Sequence, residues 1–140
     1  MRLRDLTSGL MTESPVTIGP DRPLIEALAL LGANGFRHLP VTDGEGRLLG
    51  ILSDRDIHRA LAEPATDPSR RVHEMSVAKV MTGRDLATAT PLTTLLEAAR
   101  MLLERKVSAL PVLDGERVVG ILTTDDILRA FIEAAARRPS

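Results

Sequence analysis

Two short stretches of this chain set a hydroxyl three residues ahead of a carboxylate. They are Ser53-Asp54-Arg55-Asp56 and Thr123-Thr124-Asp125-Asp126, and each follows an apolar run, Gly50-Ile51-Leu52 or Gly120-Ile121-Leu122. Two chemistries suit the pattern. A hydroxyl at a helix N-cap with an acid at the third helical position closes a capping box, although Glu or Gln is the usual acid and both copies use the shorter Asp. Alternatively, the hydroxyl and the helix N-terminus face a phosphate while the Asp accepts hydrogen bonds from the two vicinal hydroxyls of a ribose.

The neighbours of the first copy are basic. Arg37, His38 and Arg55 stand where the second copy has Ser108, Ala109 and Asp125, so the first copy is the better match for phosphate. The bland alternative is a solvated surface arginine. Thr17 and Thr88 occupy matching places in the first β-like run of each copy, either as β-branched strand residues or as pocket lining.

Other combinations carry no chemistry. Gly44-x-Gly46 is followed by a strand where a dinucleotide fingerprint needs a helix. His38, His58 and His73 have no partner four residues away and no cysteine nearby, so no metal site is expected. Nothing requires Ser53, His38 and Asp43 to act as a catalytic triad, and no catalytic residue is assigned.

The elements that position these residues repeat as well. Met11-Thr12 returns as Met81-Thr82, 70 positions on, whereas Leu39-Pro40-Val41 returns as Leu110-Pro111-Val112, 71 positions on. One insertion and one deletion, the latter in the turn Asp43-Gly44-Glu45-Gly46, reconcile the offsets. Two halves follow, residues 8–62 and 78–136, separated by a linker over 63–77 that begins with a Pro-rich polar stretch. Each half reads β-α-β-β-α. A run such as Pro15-Val16-Thr17-Ile18 leads into a helix with Leu24, Ala27, Leu28 and Leu31 on one face, stopping at Asn34-Gly35. A hairpin and a helix from about 54 (about 125 in the second half) complete it. The fold class is α+β, with the halves expected to pack about a pseudo-twofold axis because 60 residues alone make a marginal core.

Composition narrows the function. At 44% hydrophobic, 26% charged and net charge −1 the chain reads as a globular protein without a concentrated basic footprint. Two Phe with no Trp or Tyr leave few rings for base stacking, so nucleic acid is not an expected partner. There is no cysteine, no membrane-length apolar run and no signal-peptide core, and a cytoplasmic location is the simplest expectation. Arg70-Arg71 and Arg137-Arg138 read as solvated pairs.

The Met-Thr pair, the Leu-Pro-Val strand and the Gly-Ile-Leu-Ser/Thr-x-x-Asp step, occurring twice in one order, resemble the CBS domain, named after cystathionine β-synthase. Two in tandem are similar to a CBS pair, or Bateman module, over about residues 1–136, which leaves no room for an attached catalytic domain. The resemblance implies a non-enzymatic, regulatory adenine-nucleotide sensor whose ligand binds in the cleft between repeats and shifts their packing. It implies Asp56 and Asp126 for ribose, Ser53 and Thr123 towards phosphate, and a base pocket formed by Thr17, Ile18, Pro40, Val41, Thr88, Ala109, Pro111 and Val112. Arg37, His38 and Arg55 would meet the phosphates. AMP, ADP, ATP, S-adenosylmethionine and NAD are the implied ligands, with a homodimer as the assembly and an unidentified protein partner as reader. An interaction module with empty clefts is the alternative. Ile18, Val41 and Val112 are also core candidates, and the sequence does not separate pocket from core.

Overall fold

The computed structural model describes residues 5, 7–64 and 67–137. Its main elements are β1 (Thr12–Glu13), α1 (Leu24–Asn34), β2 (His38–Thr42), β3 (Leu48–Ser53), α2 (Asp54–Leu61), α3 (Pro68–Glu74) and α4 (Val77–Val80). There follow α5 (Leu95–Arg105), β4 (Ala109–Asp114), β5 (Arg117–Thr123) and α6 (Thr124–Ala136). The chain forms two compact units, Val16–Leu86 and a second that joins the residues up to Pro15 to those from Ala87 onward. No helix among the described residues is long and apolar enough to cross a membrane.

In the unit Val16–Leu86, β2 and β3 form an antiparallel hairpin with a register shift after Val41. Its turn is closed by Asp43 N–H donating to the Arg47 carbonyl (3.0 Å), and Gly46 adopts φ 82°, which a side chain would oppose. The expected first strand is reduced to one parallel bridge between Ile18 and Val41. α1 presents Leu24, Ala27 and Leu31, at i, i+3 and i+7, to a core shared with Leu39, Val41, Leu52, Ile57 and Val77. It stops at Gly35, whose φ of 66° lets its N–H return to the Leu31 carbonyl.

The second unit repeats this plan. Ala98 and Leu102 of α5 pack with Leu110, Val112 and Leu122 of the β4–β5 hairpin. A parallel bridge joins Ala89 to Val112. α5 ends at Lys106, which takes the left-handed conformation (φ 55°) that Gly35 supplies in the first copy.

The repeat starts are placed differently from their order in the sequence. Met11-Thr12 pairs with the second hairpin, Thr12 opposite Ile121 in β5. Met81-Thr82 pairs with the first, Thr82 exchanging both backbone hydrogen bonds with Ile51 (2.9 and 3.0 Å). Each three-strand arrangement is thus completed by the Met-Thr of the other sequence repeat.

The segment expected to be a plain linker holds a helix. Asp67 caps α3 by accepting from Ser69 N–H, and Pro68 occupies the first turn, where its missing N–H costs nothing. Backbone bonds from Leu24 N–H to the Met75 carbonyl (3.0 Å) and from Val77 N–H to the Arg22 carbonyl (2.8 Å) tie this segment to the start of α1. Ala65, Thr66 and Arg138 lie outside the described residues.

Candidate functional site

Both hydroxyl–acid pairs are closed capping boxes. Asp56 N–H donates to Ser53 Oγ (3.0 Å), and Asp56 Oδ2 accepts from Ser53 N–H (3.0 Å). At α6, Asp126 N–H donates to Thr123 Oγ1 (3.2 Å), and Asp126 Oδ2 accepts from Thr123 N–H (2.9 Å). The shorter Asp carboxylate reaches the N-cap N–H in both copies, where the cap residues are extended (φ −109° and −114°). The structural reading of the motif is therefore realised twice. It occupies Oδ2 of each Asp; Oδ1 of Asp56 is left for other work, whereas Oδ1 of Asp126 also meets Arg129 Nη1 at 3.4 Å.

The strand ladders bring the expected flanking residues to these helix starts. His38 stands directly opposite Ser53, and Ala109 opposite Thr123, so each side chain lies beside its hydroxyl on one face. The Arg37 carbonyl accepts from Asp54 N–H (3.0 Å), as the Ser108 carbonyl accepts from Thr124 N–H (3.0 Å). Arg55 and Asp125 are exposed at the second helical positions. The two sites share a backbone frame and differ in charge.

Thr17 and Thr88 are half-buried and lie farther off. Ile18 N–H donates to the Pro40 carbonyl (3.1 Å) and Ala89 N–H to the Pro111 carbonyl (2.9 Å), which sets both threonines on the side of the hairpin away from Ser53 or Thr123. Two strand spacings across and two residues along, about 12 Å in all, separate them from the hydroxyls. Val41, Val112, Pro40 and Pro111 are fully buried, Ile18 and Ala109 nearly so. As side chains they are core.

Sequence reasoning missed the packing that fixes the end of each hairpin. Met81 lies on Gly50 and Met11 on Gly120, so closely that an added Cβ at either glycine would collide with the sulfur. The signal was the repeated Met-Thr and Gly at matching places, but nothing local says that they meet.

The model of the CBS domain matches the chain twice, over residues 3–63 and 77–133. The chain belongs to the CBS domain family. A CBS domain-containing protein of Dictyostelium discoideum is 33% identical over 136 residues, covering 94% of each chain. Inosine-5'-monophosphate dehydrogenase of Rhizobium tropici is 34% identical over 139 residues, which are 98% of this chain and 26% of the dehydrogenase. The chain therefore spans about a quarter of that enzyme, and the enzyme's activity does not transfer with the match. Among solved structures, a CBS domain pair in complex with 5'-methylthioadenosine and S-adenosyl-L-methionine superposes with a TM-score of 0.81 at 29% identity, covering 92% of this chain and 97% of the other. CBSX2 in complex with AMP gives 0.78 at 30% identity, covering 94% and 98%. The two matched segments make this chain a tandem CBS pair of mixed helix and antiparallel sheet.

Proposed function

We propose that this CBS pair is a regulatory module that binds adenine nucleotides and catalyses no reaction. Asp56 offers Oδ1 to ribose hydroxyls while Oδ2 keeps the helix cap, so one carboxylate serves fold and ligand together; Asp126 does the same once its Oδ1 exchanges the 3.4 Å contact with Arg129 for the ribose. Thr17 and Thr88 serve the base, and the separation of about 12 Å suits the span from a base to the phosphate of its nucleotide.

The observation that carries a phosphorylated ligand is Arg55. It occupies the first turn of α2, where the helix dipole disfavours a cation, and no carboxylate pairs with it among the described residues. A phosphate beside Ser53 would supply the missing anion, with Arg37 and His38 on its flank. The relatives solved with AMP, and with 5'-methylthioadenosine and S-adenosylmethionine, support an adenine-containing ligand. Occupancy shifts the populations of the module's conformations, and a partner reads the shift.

A structural interaction module is the second reading, favoured by the complete capping boxes and by an exposed apolar stripe on α6. A thermal-shift panel of adenosine, AMP, ADP, ATP, S-adenosylmethionine and NAD separates the two. A ligand at about 100 times its Kd adds roughly 2.7 kcal/mol of stability. Silence across the panel would favour the interaction module.

A further inference from the structure

The same two residue types stand three apart at the start of both closing helices, Asp56 with Arg59 and Asp126 with Arg129. In α6 they meet. Arg129 Nη1 donates to Asp126 Oδ1 at 3.4 Å, from a side chain 67% exposed to one only 17% exposed. In α2, Arg59 is exposed and has no carboxylate partner among the described residues. Identical residues at identical spacing thus leave the two ribose acceptors in different states.

The difference falls on the one oxygen that matters to a ligand. The capping box spends Asp126 Oδ2 on the Thr123 N–H (2.9 Å), so Oδ1 is the oxygen left over. A carboxylate oxygen has two lone pairs, and two vicinal ribose hydroxyls call for both. Arg129 already takes one. An acid and a base three apart on an exposed helix face are an ordinary pair that adds little to stability. That accounts for the contact without cancelling its effect, because an entering ribose must displace the guanidinium or share Oδ1 with it. Asp56 Oδ1 carries no such competitor.

We propose that Arg129 is a built-in competitor for ribose that lowers the affinity of the Thr123/Asp126 site for the nucleoside itself. The proposal rests on the adenylate reading and adds to it a residue outside both motifs; Arg55 acts on phosphate, Arg129 on adenosine. The test titrates adenosine, which is uncharged, into the full chain carrying Asp56→Ala, so that the second site alone is read. Adding Arg129→Gln should raise adenosine affinity about threefold. The mirror experiment, Arg59→Gln in a chain carrying Asp126→Ala, should change nothing. Salt gives a second readout, since it screens the ion pair and not the neutral ligand. Second-site adenosine binding should therefore tighten as sodium chloride is added, and stay level in Arg129→Gln. Adenosine affinity in Arg129→Gln that is equal to or below its parent's, or no binding in either while the unsubstituted chain binds adenosine, overturns the proposal and leaves the adenylate reading standing. An equal rise with Arg59→Gln overturns it too, by tracing the effect to any lost surface charge. An unsubstituted chain silent to both adenosine and AMP overturns both readings.

Discussion

Met81 Sδ lies 2.6 Å from the position a Cβ would take on Gly50, and the Thr82 carbonyl oxygen lies 2.7 Å from it. The matching contact in the other unit sets Met11 on Gly120, but there the three nearest atoms all belong to the methionine side chain. A flexible thioether can move and a paired backbone cannot. Gly50→Ala should therefore destabilise the protein by about 1–3 kcal/mol, and Gly120→Ala by less. Met11→Ala should recover much of the loss in Gly120→Ala, whereas Met81→Ala should recover little in Gly50→Ala. Urea midpoints of the four single and double variants check this.

Much of the molecule was legible because its signals are local. The stop of α1 at Gly35, the hairpin turns and both helix starts follow from residues within one or two turns of each other. The pairing of Met81-Thr82 with β3 was not, since a period of 70 shows that two Met-Thr pairs are equivalent but not which hairpin each one joins. α3 was hidden because Pro68 punctuates a sequence as readily as it starts a helix. The core-or-pocket choice for Val41 and Val112 depended on burial, which an apolar strand residue does not disclose. The apolar faces of α1 and α5 are mostly spent on each unit's own core through Leu24, Leu31, Leu95 and Leu102, which leaves little of them for a partner chain.

Lys106 holds φ 55° at the end of α5 without the glycine its counterpart uses. A left-handed residue with a Cβ costs about 1–2 kcal/mol. Lys106→Gly should raise stability by up to about 1 kcal/mol once the extra freedom of glycine in the unfolded chain is counted. A thermal melt with an unchanged or lower midpoint would contradict this.

Among the described residues, Asp43 carries a pH dependence with a clear cause. Its Oδ1 accepts from the Arg47 and Glu45 N–H groups (3.0 and 2.9 Å), and its Oδ2 from Arg47 Nε (2.8 Å). The Arg47 backbone bond, then the Arg47 guanidinium, hold the carboxyl below its ordinary value of 3.8. A depressed carboxylate stabilises the fold above the ordinary value, and that contribution disappears as pH falls through the lower folded value. Asp43→Asn should melt below the parent at neutral pH. The difference should shrink on acidification from about pH 5 downwards. A difference that grew with acid would show that Asp43 is not the titrating group.

Leu128, Phe131 and Ile132 form an apolar stripe on α6 and are 53, 59 and 64% exposed. Their counterparts are His58 and Leu61 on α2 and Ala62 just past its end, so the stripe belongs to one repeat. An apolar patch of this kind marks an association surface. Light scattering at micromolar concentration should give twice the chain mass of 15.1 kDa, and Phe131→Glu should return it to one chain. A single-chain mass for the parent protein would rule out the homodimer.

The central claim is that the hydroxyl–acid motifs hold an adenylate, with Arg55 biasing the first towards phosphate. Two unit charges about 4 Å apart are worth about 4 kcal/mol at an effective dielectric of about 20. Exposure reduces the Arg55 contribution to about 1–2 kcal/mol, a preference of about tenfold or more for the Ser53/Asp56 site. Asp56→Ala and Asp126→Ala each break one capping box and should each lose about 1 kcal/mol of stability, so that loss does not distinguish them. Calorimetry with AMP does. The tight phase should vanish in Asp56→Ala and survive in Asp126→Ala; loss of that phase in Asp126→Ala with Asp56→Ala intact, or no heat from the parent protein, would contradict the account.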